Sequence, residues 1–217
     1  NLTQAYELLK QRKVALMIDP DGAVIREVKP AAVVDGILAK KNLGTIMDMA
    51  PFTVALGPGF TAGVDVHAVV ETMRGHKLGR IIYEGNAIPN TGIPGAIAGV
   101  AKERVIHAEC AGVLYGEKKI SDYVQKDEVI AYIYPDAQAK DASGQREKDG
   151  AVAVKATISG ILRGLIRDGY PVTKGFKIAD IDPRESEYEN CFTISDKARC
   201  IAGGVLEALL HAGVLPE

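Results

Sequence analysis

The sequence predicts an α+β protein in three parts: a partial βαβ or mixed sheet, a duplicated all-β module and a C-terminal helix. Apolar runs and helical spacings alternate in the first part, strand patterns recur at a fixed offset in the second, and a capped amphipathic stripe follows. The 23 glycines and 10 prolines among 217 residues favour tight turns over a helix bundle. We place the parts at residues 1–100, 101–183 and 184–217, with the last packing back on the first.

Composition excludes several classes of protein. Lys and Arg total 26 against 28 Asp and Glu, so the net charge of −2 lacks the basic field that nucleic acids and anionic membranes require. No apolar stretch approaches the roughly 20 residues of a membrane helix. Cys110, Cys191 and Cys200 have no CxxC spacing, which disfavours a disulfide framework and a zinc site. We expect a cytoplasmic protein without nucleic-acid or membrane partners, and homo-oligomerisation stays open.

The N-terminal part begins with a pattern that predicts one βαβ unit. Helical spacing covers residues 2–12, and the apolar run Val14–Ile18 predicts a strand that the turn at Asp19–Gly22 closes. Apolar residues on one face predict a helix over 30–40, and Phe52–Leu56 predicts the next strand. One such unit is a thin sheet, so we expect a further element outside this chain.

Two more strands and an ordered loop complete the first part. Strict alternation predicts a strand over Val64–Thr72, and Arg80–Glu84 predicts its neighbour after a hairpin loop at Met73–Gly79. The segment Ile88–Gly99, rich in Pro, Gly and Asn, predicts an ordered loop that leads to the second part.

The second part contains an internal repeat at an offset of 48 residues. Between residues 108–133 and 156–181, nine of 26 aligned pairs are identical. The identical pairs are Ala108/Ala156, Gly112/Gly160, Leu114/Leu162, Gly116/Gly164, Val124/Val172, Lys126/Lys174, Ile130/Ile178, Ala131/Ala179 and Ile133/Ile181. Both copies predict strand, turn and strand, so we expect the two copies to close on each other.

A glycine-rich loop follows the strand at 52–56. Gly57-x-Gly59-x-x-Ala62 fits a relaxed dinucleotide fingerprint, in which glycines let backbone N–H groups approach a pyrophosphate. The residues that follow, over Val64–Thr72, alternate like a strand and open no helix, so a tight loop that needs glycine dihedral angles is the favoured interpretation.

The densest polar cluster lies at the predicted hairpin loop, in Glu71, Thr72, Arg74, Gly75 and His76. Arg offers a planar fork for phosphate or carboxylate, His can transfer protons near neutrality, and Glu can orient either. A solvated turn with Glu71 paired to Arg74 is the alternative. We favour a ligand or partner site.

A metal site is rejected, because His67 and Glu71 are too far apart along a strand to share one ion. Near the C-terminus, Ser195 predicts the N-cap of a helix whose apolar stripe comprises Ile201, Val205, Leu209, Ala202, Leu206 and Leu210. Gly203 and Gly204 weaken that helix, which close packing against another backbone would explain. Cys191 precedes it and is a candidate reactive thiol, with an inert thiol favoured.

The duplicated module resembles the biotinyl/lipoyl-type barrel-sandwich hybrid. The second copy matches the family pattern at Gly169, Val172, Lys174 and Gly175, whereas the first has Asp127 where the pattern has glycine. In carrier members the modified lysine lies in a hairpin between the halves. The connection here is long and polar, and its two lysines, Lys140 and Lys148, lack the usual flanking residues, so carrier activity is disfavoured.

Six strings closely resemble a bacterial family of accessory proteins of the selenium-dependent molybdenum hydroxylase system. They are AKKNLGT at 39–45, DMAP at 48–51, LGPGFTAGVDVHAVVETMRGHKLGR at 56–80, PNTGIPG at 89–95, and CFTISDKA with GGVLEA within 191–208. The resemblance implies assistance in maturing a xanthine-dehydrogenase-like enzyme, by handling its molybdopterin cofactor or its selenium or sulfur ligand. The implied partners are a hydroxylase subunit and a small phosphate-bearing ligand, with molybdopterin or a nucleotide as the open cofactor choices.

The candidate site follows from these motifs. Its proposed ligand-binding residues are Gly57, Gly59, Thr61, Glu71, Thr72, Arg74, Gly75, His76, Asn90, Thr91, Ser195, Asp196 and Lys197. Glu71, His76 and Cys191 are the candidate catalytic residues, and no metal is expected. Two alternatives to the accessory role stay open: an enzyme acting on a phosphate- or carboxylate-bearing ligand, and a lipoyl-like carrier.

Overall fold

The structure, a computed structural model, describes residues 1–92, 99–100, 102–135 and 150–214. Helices and sheets occur together, so the protein is α+β. The chain divides into two compact units, the first formed by 1–91 with 195–217 and the second by 92–194. These bounds differ from the expected 100 and 183, because a 3₁₀ helix at Glu185–Cys191 stays with the second unit. Among the described helices, none has the length and apolarity to span a bilayer.

The first unit is built around a mixed four-stranded sheet of order β1-β2-β4-β5. Its elements are α1 Leu2–Lys10, α2 Ala23–Val28, β1 Ala32–Asp35, a 3₁₀ helix Met47–Met49, β2 Phe52–Leu56, β3 Thr61–Ala62, β4 Ala68–Val70, β5 Ile81–Ile82, β6 Gly85–Asn86 and, as its last helix, α3 Asp196–His211. Strands β1, β2 and β4 are parallel, and β5 pairs with β4 in the antiparallel direction. Strands β3 and β6 form a separate two-stranded sheet.

The predicted βαβ unit is wrong in two of its elements. Residues 30–40 are not helical, since β1 occupies Ala32–Asp35 and pairs with β2. Val33 and Val34 fit a helical face by spacing, but β-branched residues also suit a pleated strand, and the pairing with β2 decides between the two. Residues 14–18 form no strand, because no described strand pairs with them.

The other helix and strands predicted for the first unit are present, and most of them are shorter than predicted. Strand β2 has the predicted bounds Phe52–Leu56, and α1 lies within the predicted helix with Asn1 as its N-cap. The strand predicted over Val64–Thr72 is reduced to β4, since Gly63 adopts φ 81° and Val64 turns outward at 71% exposure. Strand β5 is likewise shorter than the predicted Arg80–Glu84.

Helix α3 begins where the sequence predicts, with the Ser195 side chain accepting a hydrogen bond from the Ala198 N–H at 3.1 Å. Its packed face includes Ile201 and Val205 of the predicted stripe and differs from the rest of it. Ile201, Gly204 and Ala208 are buried against β2 and β4, whereas Leu206 and Leu210 are exposed. The hydrophobic spacing allowed either face, and the glycine at 204 determines which face can approach the sheet.

The second unit contains two four-stranded antiparallel sheets. Its strands are β7 Val105–His107, β8 Gly112–Gly116, β9 Tyr123–Val124, β10 Val129–Tyr134, β11 Val152–Lys155, β12 Gly160–Leu165, β13 Tyr170–Val172 and β14 Lys177–Asp182. One sheet has the order β11-β10-β8-β13 and the other β7-β14-β12-β9. Side chains of both sheets form one core, which includes Leu114, Ile133, Leu162 and Ile181.

The two copies of the repeat exchange strands. Strands β10 and β14 lie 48 residues apart. The first copy comprises β7–β10 and the second β11–β14. Each copy places its second and fourth strands in one sheet and its first and third in the other. The pairing register repeats as well, since Leu114 faces Ile133 and Leu162 faces Ile181. The offset found in the sequence therefore describes the pairing of the strands as well as their order.

Equivalent glycines mark the closest approach within each sheet. Gly112 and Gly160 have φ angles of 157° and 154°. A Cβ at Gly112 would lie 2.5 Å from the carbonyl oxygen of Tyr134, and one at Gly160 would clash with the carbonyl oxygen of Asp182. Retention of glycine at both positions is thus a steric requirement of the strand pairing.

Candidate functional site

The carboxyl ends of β1, β2 and β4 lie at one edge of the first unit's sheet, because the three strands are parallel. Open parallel sheets bind ligands at this edge. The segments that follow the strands are 36–41, 57–59 and 71–74, and the start of α3 at 195–197 joins them through an ion pair. We call these four segments the carboxyl-edge site.

Glu71 anchors the loop after β4. Its side chain is 2% exposed, and Oε1 accepts hydrogen bonds from the Thr72 and Met73 N–H groups at 2.7 Å each. Oε2 accepts a third from the Ile88 N–H at 2.8 Å. Since the carboxylate is held by three backbone donors, the geometry supports the predicted orienting role of Glu71 more directly than a catalytic one.

The glycine loop after β2 lets three segments meet. Gly57 has a φ angle of 76°, and a Cβ there would lie 2.5 Å from Oγ1 of Thr72. Gly59 has a φ angle of 111°, and a Cβ there would lie 2.5 Å from the Cα of Lys41. The loop leads into strand β3, which lies before the predicted alternating segment, and no helix begins at these glycines.

Cationic side chains from three elements interact at this edge. The Arg74 guanidinium forms two hydrogen bonds with the Asp196 carboxylate, at 2.9 and 3.1 Å, and this raises the pKa of Arg74. Burial lowers the pKa of Lys197, and the positive charges of Arg74 and Lys40 lower it further, against an opposing effect of Glu71. The alternative of a solvated turn is confirmed at residues 74–77, but its pairing of Glu71 with Arg74 is wrong, because Arg74 pairs with Asp196 and Glu71 with backbone amides.

The loop after β1 has an unusual backbone. Leu38 and Lys40 adopt φ angles of 58° and 61°, a left-handed conformation that is costly for residues other than glycine. Asp35, which is 6% exposed, holds the start of this loop. Its carboxylate accepts hydrogen bonds from the Ile37 N–H at 3.0 Å and from the Thr45 hydroxyl at 2.6 Å. Such strain concentrates at binding sites.

Sequence reasoning missed Lys40 and Asp35 as members of this site. A helix over 30–40 would place Lys40 at its C-terminal end, where a cation serves the helix dipole, and the structure has no helix there. The available signal was the position of Asp35 and Lys40 directly after an apolar run, which becomes informative once that run is assigned as a strand.

Other predicted site residues lie in the turn after β4 and on β3. Gly75 has a φ angle of 131°, and its carbonyl accepts a hydrogen bond from the Leu78 N–H within the exposed turn. His76 is exposed in the same turn and has no hydrogen bond or ion pair with Glu71. Thr61 lies on β3, where its hydroxyl accepts from the Asn86 side chain at 2.8 Å.

Asn90, Thr91 and Cys191 are three further residues predicted for the site. Asn90 and Thr91 are exposed and follow Ile88, the residue whose N–H binds Glu71. Cys191 ends the 3₁₀ helix of the second unit as a partly buried free thiol, and it therefore belongs to a different unit from Glu71. Within the part of the chain that the structure describes, no group of His, Cys, Asp and Glu is suited to a metal ion.

His67, the other residue considered for a metal, has a structural contact. Its Nδ1 accepts a hydrogen bond from the Thr53 N–H at 3.1 Å and lies 2.9 Å from the Thr53 hydroxyl, which is fully buried. This contact joins β2 to the residue that precedes β4. His67 and Glu71 thus serve separate hydrogen-bond networks.

No protein-family profile matches the chain. A relative in Escherichia coli K12, the uncharacterized protein YqeB, is 49% identical over 214 residues. The match covers 97% of this chain and 36% of YqeB, so the chain spans about a third of that relative's length.

Among solved structures, a succinylglutamate desuccinylase from Silicibacter sp. TM1040 is 16% identical, with a TM-score of 0.30. That likeness covers 76% of this chain and 50% of the other. An aspartoacylase family protein from Mesorhizobium loti is 14% identical, with a TM-score of 0.29 over 38% of this chain and 24% of the other. Likenesses at these scores support no conclusion about fold or activity.

Proposed function

We propose that the chain assists the maturation of a selenium-dependent molybdenum hydroxylase by binding a phosphate-bearing ligand, of the molybdopterin kind, at the carboxyl-edge site. The sequence string at 56–80 that resembles the accessory family includes Gly57, Gly59, Glu71 and Arg74, all of which lie at this site. The same string that supports the accessory role thus provides much of the chemistry for an anion.

The placement of three cations supports the anion most directly: Lys40, Arg74 and Lys197 come from three separate segments, and burial together with repulsion by Arg74 and Lys40 lowers the pKa of Lys197. Asp196 compensates Arg74, and among the residues that the structure describes the other two cations have no equally direct carboxylate partner. A phosphate group would relieve this repulsion, and partial burial would strengthen its attraction to Lys197. Glu71 holds the loop that presents Arg74, and its negative charge opposes the lowering of the pKa of Lys197.

Isothermal titration tests the ligand, with molybdopterin, molybdate and ATP as probes. We expect binding of a phosphate-bearing probe, weakened at least about tenfold in Lys197→Ala because a charge-assisted hydrogen bond is lost. Lys174→Ala is the matched control, since Lys174 is an exposed lysine of the second unit. Absence of binding by every probe at millimolar concentration would refute the anion site.

The accessory role has a separate test in cells. Arg74→Ala should lower the activity of the molybdenum hydroxylase without unfolding this protein, because the Arg74–Asp196 pair is exposed and contributes about 1 kcal/mol or less. Circular dichroism of the purified variant checks the fold. Unchanged hydroxylase activity in the Arg74→Ala strain would contradict the role.

We also propose that the second unit is a barrel-sandwich hybrid of the biotinyl/lipoyl type. Its support is the exchange of strands between two copies, each contributing to both sheets. Lys140 and Lys148, the only lysines of the connection between the copies, lie outside the described residues. Intact mass spectrometry of protein from its native host tests the carrier alternative, for which an adduct on either lysine is required.

A further inference from the structure

The segment 14–18 of the first unit exposes a row of large apolar side chains. Val14, Leu16 and Ile18 are 94, 96 and 99% exposed, whereas Ala15 and Met17 between them are partly covered. This alternation is that of a β-strand with one face uncovered. The sequence pattern predicts a strand here, yet no described strand pairs with the segment.

Both ends of this segment are fixed. On one side, the Lys13 N–H donates a hydrogen bond to the Leu8 carbonyl at 2.9 Å, directly after α1. On the other side, the Asp19 carboxylate accepts from the Ala23 and Val24 N–H groups, at 3.1 and 2.8 Å, and so caps α2. The exposed strand-like residues are therefore held between two ordered helices.

A second incomplete surface lies on β1. Among the described strands, β1 pairs with β2 alone, so the backbone groups along its outer edge have no strand partner. Val34 on β1 is 42% exposed, and Ile37 just after it is 65% exposed. Parallel sheets are normally covered on both faces, and an open apolar edge is a site for pairing with another strand.

We propose that further polypeptide of this same protein supplies at least one β-strand that pairs with β1 and covers the apolar face of residues 14–18. The unpaired, strand-like segment 14–18 is followed along the chain by helix α2 and β1, and strand, helix and strand is the order in which parallel sheets are built. The matched part of YqeB is 36% of its length, so a protein related to this one has ample polypeptide beyond the matched part.

Amide hydrogen exchange of the protein as the native host makes it tests this proposal. We expect exchange at residues 14–18 and 32–35 to be at least about a hundredfold slower than in the free 217-residue chain, because pairing protects strand amides. Leu16→Asp should abolish that protection and lower the unfolding temperature by several degrees. Leu206→Asp, an equal change at a leucine of α3 that is 58% exposed, should do neither.

Three results would overturn the proposal. The first is rapid exchange at residues 14–18 in the native protein, including the case in which that protein has no further polypeptide. The second is an equal effect of Leu16→Asp and Leu206→Asp. The third is protection that appears only as the protein concentration rises, which would assign the surface to a second copy of the chain.

Discussion

At the scale of single residues, Asp127 occupies a position built for glycine. It has a φ angle of 69°, and its counterpart in the repeat, Gly175, has one of 83°. Their N–H groups donate equivalent hydrogen bonds of 2.8 Å, to the carbonyls of Ala156 and Ala108. The two copies therefore keep the same turn, although only one has the residue that adopts it at little cost.

Asp127→Gly should therefore stabilise the protein, by about 0.5 kcal/mol, because relief of the left-handed strain exceeds the added entropy of the unfolded chain. Gly175→Ala should destabilise it by about 1 kcal/mol for the converse reason. Urea unfolding followed by circular dichroism measures both, since the chain has no tryptophan to serve as a fluorescent probe. A loss of stability in Asp127→Gly would show that the Asp side chain itself supports the turn.

The buried carboxylate of Asp182 makes the free energy of unfolding depend on pH. Its side chain is fully buried, and hydrogen bonds from Arg184, with a further one from Arg163, lower its pKa to about 2. Because the pKa of Asp182 is lower in the folded state than its ordinary value of 3.8, the ionised carboxylate stabilises the folded state above pH 3.8. This contribution is lost as the pH falls through 2. The shift corresponds to about 2 kcal/mol.

Asp182→Asn should accordingly cost at least about 2 kcal/mol at pH 6, with a cost that shrinks between pH 4 and pH 2. Urea unfolding of both proteins across this range measures the difference. Glu109→Gln, at an exposed carboxylate, is the control and should differ little from the wild type at any pH. A cost for Asp182→Asn that does not vary with pH would contradict the assignment.

At the scale of elements, α3 packs through glycine. A Cβ at Gly204 would clash with the carbonyl oxygen of Gly79, whereas one at Gly203 would meet open space. At Gly79 itself, a Cβ would lie 2.6 Å from the Cys200 carbonyl oxygen. The helix backbone thus contacts the loop between β4 and β5 directly, which explains the helix-weakening glycine at 204 by the predicted close packing and leaves the one at 203 without a structural reason.

The two neighbouring glycines give predictions of opposite sign. Gly203→Ala should raise the free energy of unfolding by about 1 kcal/mol, because alanine favours the helix and its methyl group has room. Gly204→Ala should lower it by about 1–3 kcal/mol, because the helix must move away from Gly79. Thermal unfolding ranks the variants. Stabilisation by both would mean that α3 is not seated on this loop.

Elements were predictable where local chemistry and tertiary pairing agree. Ser195 caps α3 by its own side chain, so the start of that helix follows from the sequence. At Val33 and Val34, in contrast, spacing favours a helix and pairing with β2 imposes a strand. The role of Lys40 depended on that same element, so the error in the fold concealed a member of the carboxyl-edge site. The hydrogen bond from Ile88 to Glu71 joins residues 17 apart and has no sequence pattern.

At the scale of the whole molecule, the repeat predicted more than any single element did. The offset of 48 residues recurs in the bounds of β10 and β14 and in their registers with β8 and β12. It could not predict which copy supplies the outer strands, because identical patterns fit either sheet. The structure shows that each sheet takes two strands from each copy.

This exchange predicts that half of the second unit cannot fold alone. A fragment of residues 92–149 has β8 and β10 but lacks β11 and β13, which flank them, so its apolar face and strand edges would stay open. We expect circular dichroism to show it unfolded, and a fragment of residues 92–194 to unfold cooperatively. Mixing fragments 92–149 and 150–194 should restore the β signal, because the cut lies between β10 and β11 and each fragment keeps its own strands. A fragment 92–149 that is folded and monomeric would mean that each copy can close its own sheet.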